Sequence, residues 1–259
     1  MKRFFGIFRR EYDMMIRRKG IWLAYALIFL MHGLTFLSPR GGALPVMSSR
    51  FLWRTAGEIL WVLNLFAPLV GGIAAADRLV RDGRLGVREL LRGAPMGNGP
   101  YLLGKYAGVL AGALTPLILF VLALGTAETI IYKLSPVFLP SLVAAFLTIS
   151  LPAYAFVIAC SLAFPLVLPL RVYQVMFTGY WFWGNYLNPK VVPTLNGTIL
   201  TPGGIFALQG FFGGTVSFSN AAARHSAAEA SASLIALFAC AAAALGAAAW
   251  LMARRERNA

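Results

Sequence analysis

DRLVRDGRLGVRELLRGAPMGNGPYLLGKYAG, residues 77–108, is the longest charged stretch of the chain and separates two apolar runs. Inside it, GPYLLGKY (99–106) has the GxxxxGK spacing of a phosphate-binding loop. Such a loop needs small spacer residues, so that backbone N–H groups can wrap phosphate, and a Ser or Thr after the lysine for magnesium. Here the spacers are Pro100, Tyr101, Leu102 and Leu103, and Tyr106 follows Lys105. The spacing is therefore incidental, and Lys105 is expected to anchor an apolar helix by extending its ammonium to the membrane surface.

The apolar runs on either side set the class. Of 259 residues, 59% are hydrophobic and only 12% charged, about half the usual charged share of a soluble domain. The composition is that of an all-α polytopic membrane protein. The apolar stretches lack the alternation of a barrel, and a helix satisfies its own backbone away from water. The net charge of +14 would suggest nucleic acid in a soluble protein. Here the cations cluster at the ends of apolar runs, which points to topology and anionic membrane lipids, with no nucleic-acid partner. Cys160 and Cys240 lie inside apolar runs and have no metal or disulfide spacing. MKRFFGIFRREYD is interrupted by charge too early to be a signal peptide.

Six transmembrane helices are expected, near 21–37, 53–76, 104–127, 138–163, 167–187 and 231–252, with a turn at Pro165 and Pro169 separating the fourth from the fifth. This layout puts seventeen basic residues on one side and six on the other, so both termini are expected in the cytoplasm. Residues 1–20 read as an interfacial helix: Phe5, Phe8, Tyr12 and Met15 recur at helical spacing, with Arg9, Arg10, Asp13 and Arg17 on the remainder. The whole chain forms a single transmembrane domain, 1–259. It contains a cytoplasmic coupling loop, 77–105, and an outer loop, 188–230. In that outer loop, GGIFALQGFFGG (203–214) is apolar but too short to span, so a re-entrant or interfacial hairpin is expected before the last span.

The order Asp82, Gly86, Leu90, Leu91, Pro95, then Tyr101-Leu102, Gly104 and Lys105 resembles the cytoplasmic loop of type-2 ABC transporter permeases. The interfacial helix, the six spans and the long outer loop fit the same family. The sequence departs from its pattern at Asp82, where Glu is usual, and at Val87, where Thr is common. The resemblance implies a transmembrane subunit of a bacterial ABC exporter in the plasma membrane. It implies a separate cytoplasmic ATPase that binds ATP and Mg, and a second permease subunit, identical or not. This chain itself would be non-catalytic and bind no cofactor. Residues 84–92, RLGVRELLR, are expected to form about two helical turns with Arg84, Arg88 and Arg92 on one face and Leu85, Leu90 and Leu91 offering apolar surface. The expected ATPase-docking residues are Asp82, Gly86, Arg88, Glu89, Leu90, Leu91 and Pro95. The bland reading of the same segment is an amphipathic helix resting on anionic lipid.

Other constellations have two readings each. Gly104, Gly108 and Gly112 allow close helix approach, within the subunit or across a dimer. Arg54 and Glu58 form an (i, i+4) pair, or Glu58 faces a substrate path. Asn64 bonds between helices or lines that path. Tyr180, Trp181 and Trp183 form an interfacial aromatic girdle or line the path. His225 and Glu229 have no metal partner set. With few midplane charges, the expected substrate is hydrophobic or amphipathic: a peptide, drug or lipid. The alternatives are a secondary transporter and a non-transporting membrane enzyme or sensor subunit. The first would need broken helices with polar midplane residues, which the sequence does not lead one to expect.

Overall fold

Prolines and glycines decide where the helices of this chain begin, break and end. The structure, a computed structural model, describes residues 2–36, 48–86, 97–215 and 225–257. All regular structure among them is helical. In chain order the α-helices are α1 (Lys2–Ile16), α2 (Lys19–Phe36), α3 (Ser49–Asn64), α4 (Ala67–Ala75), α5 (Arg78–Arg84), α6 (Asn98–Ile131), α7 (Phe138–Ala145), α8 (Leu151–Ala163), α9 (Leu170–Asn185), α10 (Ile205–Phe212) and α11 (Ala227–Arg257).

Three prolines explain features that composition alone does not. Pro100 sits in the first turn of α6, where a backbone N–H would have no helical partner and a proline costs little. The helix therefore starts at Asn98, and GPYLLGKY is helical instead of looped. Pro68 sits in the first turn of α4 and steers the chain out of helix just before it. As a result, the run from Ser49 to Arg84 bends by 41° between Asn64 and Ala67. The expectation of unbroken helices fails at this point. Pro152 removes the donor at the start of α8, and the preceding Phe146–Ser150 turn widens to a π-helix, joining α7 and α8 without a sharp stop. Phe164–Leu166 is a 3₁₀ turn, and α9 begins after Pro169, as the proline pair predicts.

Among the described residues three helices are long and apolar enough to cross a membrane: Asn98–Ile131, Phe138–Leu166 and Ala227–Arg257. The bent pair α3 with α4–α5 makes a fourth if counted as one span. The count of six is not carried by helix length. In the first expected span the apolar helix is the shorter Lys19–Met31. In the fifth, α9 has 16 residues, about 24 Å at 1.5 Å per residue, which is short of a ~30 Å hydrocarbon core.

The 34 residues of α6 measure about 51 Å, and α1 and α2 share that length. A Cβ at Gly104 would meet the Phe4 carbonyl and Ile7, one at Gly108 the Phe8 carbonyl and Glu11, and one at Gly112 Met15. Further along, the Tyr25 hydroxyl lies 3.0 Å from the Ala113 carbonyl, and Phe29 stacks on Phe120. The glycine stripe is thus used within the chain, to seat α1. This alters the expected amphipathic helix. Its packed face is Phe4, Ile7, Phe8, Glu11 and Met15, while Phe5 remains exposed.

Both chain ends gather where α6 begins. Asn98 donates to Glu256 at 2.7 Å, and Arg255 bonds the Leu166 carbonyl at the close of α8. At the opposite end, the expected hairpin is α10. It packs between α3 and the start of α11, with Gly57 against Phe212 and Gly210 against Ser226 and Ala230. Trp53 stacks on Phe212 at 4.8 Å and donates to the Phe211 carbonyl.

A Gly108→Leu substitution places its Cβ 2.5 Å from the Phe8 carbonyl oxygen, a backbone atom that cannot rotate away. Overpacking of this kind costs about 1–3 kcal/mol. Thermal unfolding in detergent should show a clear drop in Tm for G108L. Gly6→Leu on the open face of α1, where nothing lies within 4 Å, should be close to neutral. Equal melting of the two variants would remove the α1–α6 seat.

Candidate functional site

The flanks of the charged stretch meet at a buried ionic network. Lys105, on the second turn of α6, is fully buried. Its Nζ donates to Glu11 of α1 and, at 2.7 Å, to Asp82 Oδ2 of α5. The same Asp82 oxygen accepts from the Tyr101 hydroxyl, one turn before Lys105. Arg78, also buried, donates to the Met14 carbonyl at 3.2 Å and lies 3.8 Å from the second oxygen of Glu11. Arg18, between α1 and α2, forms a two-pronged pair with Asp77 at 3.1 and 3.2 Å and donates to the Ala74 carbonyl. Three cations face three carboxylates, so the network is neutral. The Arg18–Asp77 pair is partly exposed, whereas Lys105, Glu11 and Arg78 are withdrawn from water and need that compensation.

This corrects the expected role of Lys105. It does not reach to the membrane surface, because carboxylates from α1 and α5 hold its ammonium inside the protein. It also bears on phosphate binding: the residues around it are helical, and two of its three donors are held by Glu11 and Asp82. The network was not anticipated as a unit. Its signal was Glu11, an acid on the face that carries Phe4, Ile7, Phe8 and Met15.

The expected docking residues divide. Asp82 belongs to the network and is mostly buried. Gly86 has φ of +64°, a left-handed conformation suited to glycine, and follows Leu85, the residue that caps α5. The expected helix 84–92 therefore does not start at Arg84, which ends a preceding helix instead. Arg88, Glu89, Leu90, Leu91 and Pro95 lie outside the described residues.

Each expected path residue has a partner within the chain. Glu58 accepts from Arg54 Nε at 2.7 Å, so the (i, i+4) pair forms. Asn64 is fully buried at the α3–α4 bend, and its amide donates to the Pro202 and Gly203 carbonyls at 3.3 and 3.2 Å. Trp181 is not part of an exposed girdle. It is completely buried and donates to the Leu65 carbonyl at 2.7 Å. Tyr180 is half-buried, and Trp183 is exposed, donating to the Pro193 carbonyl. Helical periodicity turns Trp181 inward and its neighbours outward. Ser226 and Glu229 cap the start of α11 reciprocally, Ser226 N donating to Glu229 at 2.7 Å. Among the described residues no group of three His, Cys, Asp or Glu side chains is placed to hold a metal.

No family model matches this chain, and no curated protein matches its sequence.

Removing Lys105 alone leaves Asp82 buried without its cation and Glu11 with only Arg78 at 3.8 Å. Breaking a buried pair this way costs about 3–5 kcal/mol. Lys105→Met should therefore melt far below wild type, whereas the triple change Lys105→Met, Glu11→Gln, Asp82→Asn should recover much of the loss. A triple variant no more stable than the single one would show that the charges are not what holds these helices.

Proposed function

We propose that this chain is the transmembrane permease subunit of an ATP-driven exporter of the type-2 ABC kind, in a bacterial plasma membrane. It would work with a second permease subunit and a separate cytoplasmic ATPase carrying ATP and Mg. The observation that carries the reading is where the ionic network sits. Asp82 and Lys105 stand on the two flanks of the coupling loop, and Lys105 bonds both Asp82 and Glu11. A force on the segment between them would reach α1, α5 and α6 together. That is the mechanical requirement for a subunit driven by a partner docked on this segment. The residue pattern of 77–108 supports the same reading.

Counting α2 and α9 as crossings alongside the four longer candidates gives six. An even count agrees with both chain ends lying at one end of the bundle, and the basic bias assigns that end to the cytoplasm. The bend at Asn64 bears on the secondary-transporter reading, since broken helices build ion sites there. At this break the Asn64 NH₂ donates to the Pro202 and Gly203 carbonyls, while its Oδ1 is buried without a hydrogen-bond partner among the described residues; the exporter reading rests on the coupling loop instead.

Two results test it. A reporter fused after Ala259 should be active only in the cytoplasm. Replacing Leu90 and Leu91 with Asp should uncouple the ATPase. Each leucine contributes roughly 1.5–3 kcal/mol when fully buried, and two carboxylates in an apolar groove cost more than the lost contact. Association should weaken at least about a hundredfold, since 1.4 kcal/mol is tenfold. ATP-hydrolysing activity that co-purifies with wild type should fall accordingly at equal membrane level. If it co-purifies equally with the variant, the docking reading fails.

A further inference from the structure

At the end of the bundle opposite the ionic network, α3 and α10 enclose a groove of about 420 Å³, within the usual range for small-molecule sites. We propose that this groove binds an amphiphile with an oxyanion head, its phosphate or carboxylate on Arg50 and Arg54 and its apolar tail along Phe51 and Phe212. The proposal does not depend on the ATPase partner.

The case rests on which hydrogen-bonding capacity the lining leaves over. Arg54 directs Nε to Glu58 at 2.7 Å and Nη2 to the Thr215 hydroxyl at 2.5 Å, and it makes no other hydrogen bond among the described residues. Its Nη1 donors remain. Among the described residues Glu58 is the carboxylate paired with the groove lining, and Arg54 neutralises it; Glu229 is engaged by Ser226. Arg50 lines the groove and makes no ion pair or hydrogen bond among the described residues, so its whole guanidinium is available. The Thr215 oxygen accepts from Arg54 and keeps its proton to give. The Gln209 carbonyl oxygen accepts from the His225 amide at 3.2 Å, which leaves its NH₂ group as a donor. The polar side-chain lining is thus a set of donors with a surplus positive charge. An acceptor-only, negatively charged group completes it, and a planar guanidinium fork suits phosphate or carboxylate.

Ser48, Gly213 and Gly214 also line the groove, and its apolar surface is mainly Phe51, which is exposed; Phe212, held by Trp53 and Gly57, shows only its edge at 4% exposure. A small inorganic anion would leave this surface uncovered. A ligand with both a charged and an apolar part covers it.

The test uses the full-length chain in a neutral maltoside detergent, with bound ligand counted by native mass spectrometry. The probes are dodecyl phosphate, dodecylphosphocholine and inorganic phosphate. Wild type should retain dodecyl phosphate at least tenfold more tightly than dodecylphosphocholine, and inorganic phosphate at the same concentration should not displace it. Arg50→Gln leaves the Arg54–Glu58 pair in place and should abolish the preference. Lys133→Gln, which removes one exposed cation from a separate loop, should keep it, with both variants melting like wild type. Three results would overturn the proposal: a preference that survives R50Q, an equal loss in K133Q, or equal displacement by inorganic phosphate. The first two mean non-specific adsorption, and the third means a simple anion site.

Discussion

An ammonium group withdrawn from water costs several kcal/mol unless carboxylates and hydrogen bonds replace its hydration. Lys105 is such a group, and much of the packing at its end of the bundle follows from it. Glu11 can reach it only because α1 lies against α6 at backbone distance, and that approach requires Gly108: a Cβ there would meet the Glu11 Cβ at 2.9 Å. Asp82 can reach it only because α5 continues for seven residues past the bundle core before Gly86 turns the chain. Once Glu11 is buried its second oxygen also needs a cation, which Arg78 supplies at 3.8 Å. The glycine stripe, the length of α5 and the burial of an arginine are consequences of one buried lysine.

The middle of the bundle is held by neutral groups. The bend before Pro68 frees carbonyls that a continuous helix would have used, and side chains from α9 take one of them up: Trp181 and Tyr186 both donate to Leu65. Nearby, the Tyr25 hydroxyl has one proton, which the Ala113 carbonyl at 3.0 Å accepts. The 2.6 Å contact between Tyr25 and Tyr154 is then donated by Tyr154. This pair joins α2, α6 and α8 beside α4. In a non-aqueous surrounding, broken helices persist only where such donors are supplied from within the protein.

Much of this was legible in the residues. Apolar run length placed the helices to within a few residues at most ends, the proline pair at 165 and 169 placed a turn, and the Arg54–Glu58 spacing gave a bond that forms. Three things were not legible. Pro100 reads as a loop residue, and only its position in the first turn of a helix makes it harmless, so α6 starts six residues earlier than expected. Lys105 has the same spacing from an apolar run whether it anchors at a surface or is buried. The difference is made by Glu11, nearly a hundred residues away. The aromatic cluster at 180–186 gives no sign in composition that Trp181 turns inward, because its partner is a carbonyl freed by a proline in another helix.

The two ends of the bundle differ in electrostatic character, and α3 to α5 connects them. At the α5 end every charge of the network faces an opposite charge, and loss of a partner within its buried Lys105–Glu11–Asp82 part costs about 3–5 kcal/mol. At the α3 end, Arg50 and the remaining Arg54 donors face open space. Between them lies the 41° bend, held by neutral hydrogen bonds from Asn64, Trp181 and Tyr186, each contributing about 0.5–1.5 kcal/mol. A displacement applied at Asp82 meets a stiff ionic joint first and a softer neutral one next. Under the proposed docking, a change of angle would fall at Leu65–Phe66, between α3 and α4, and leave the ionic network whole.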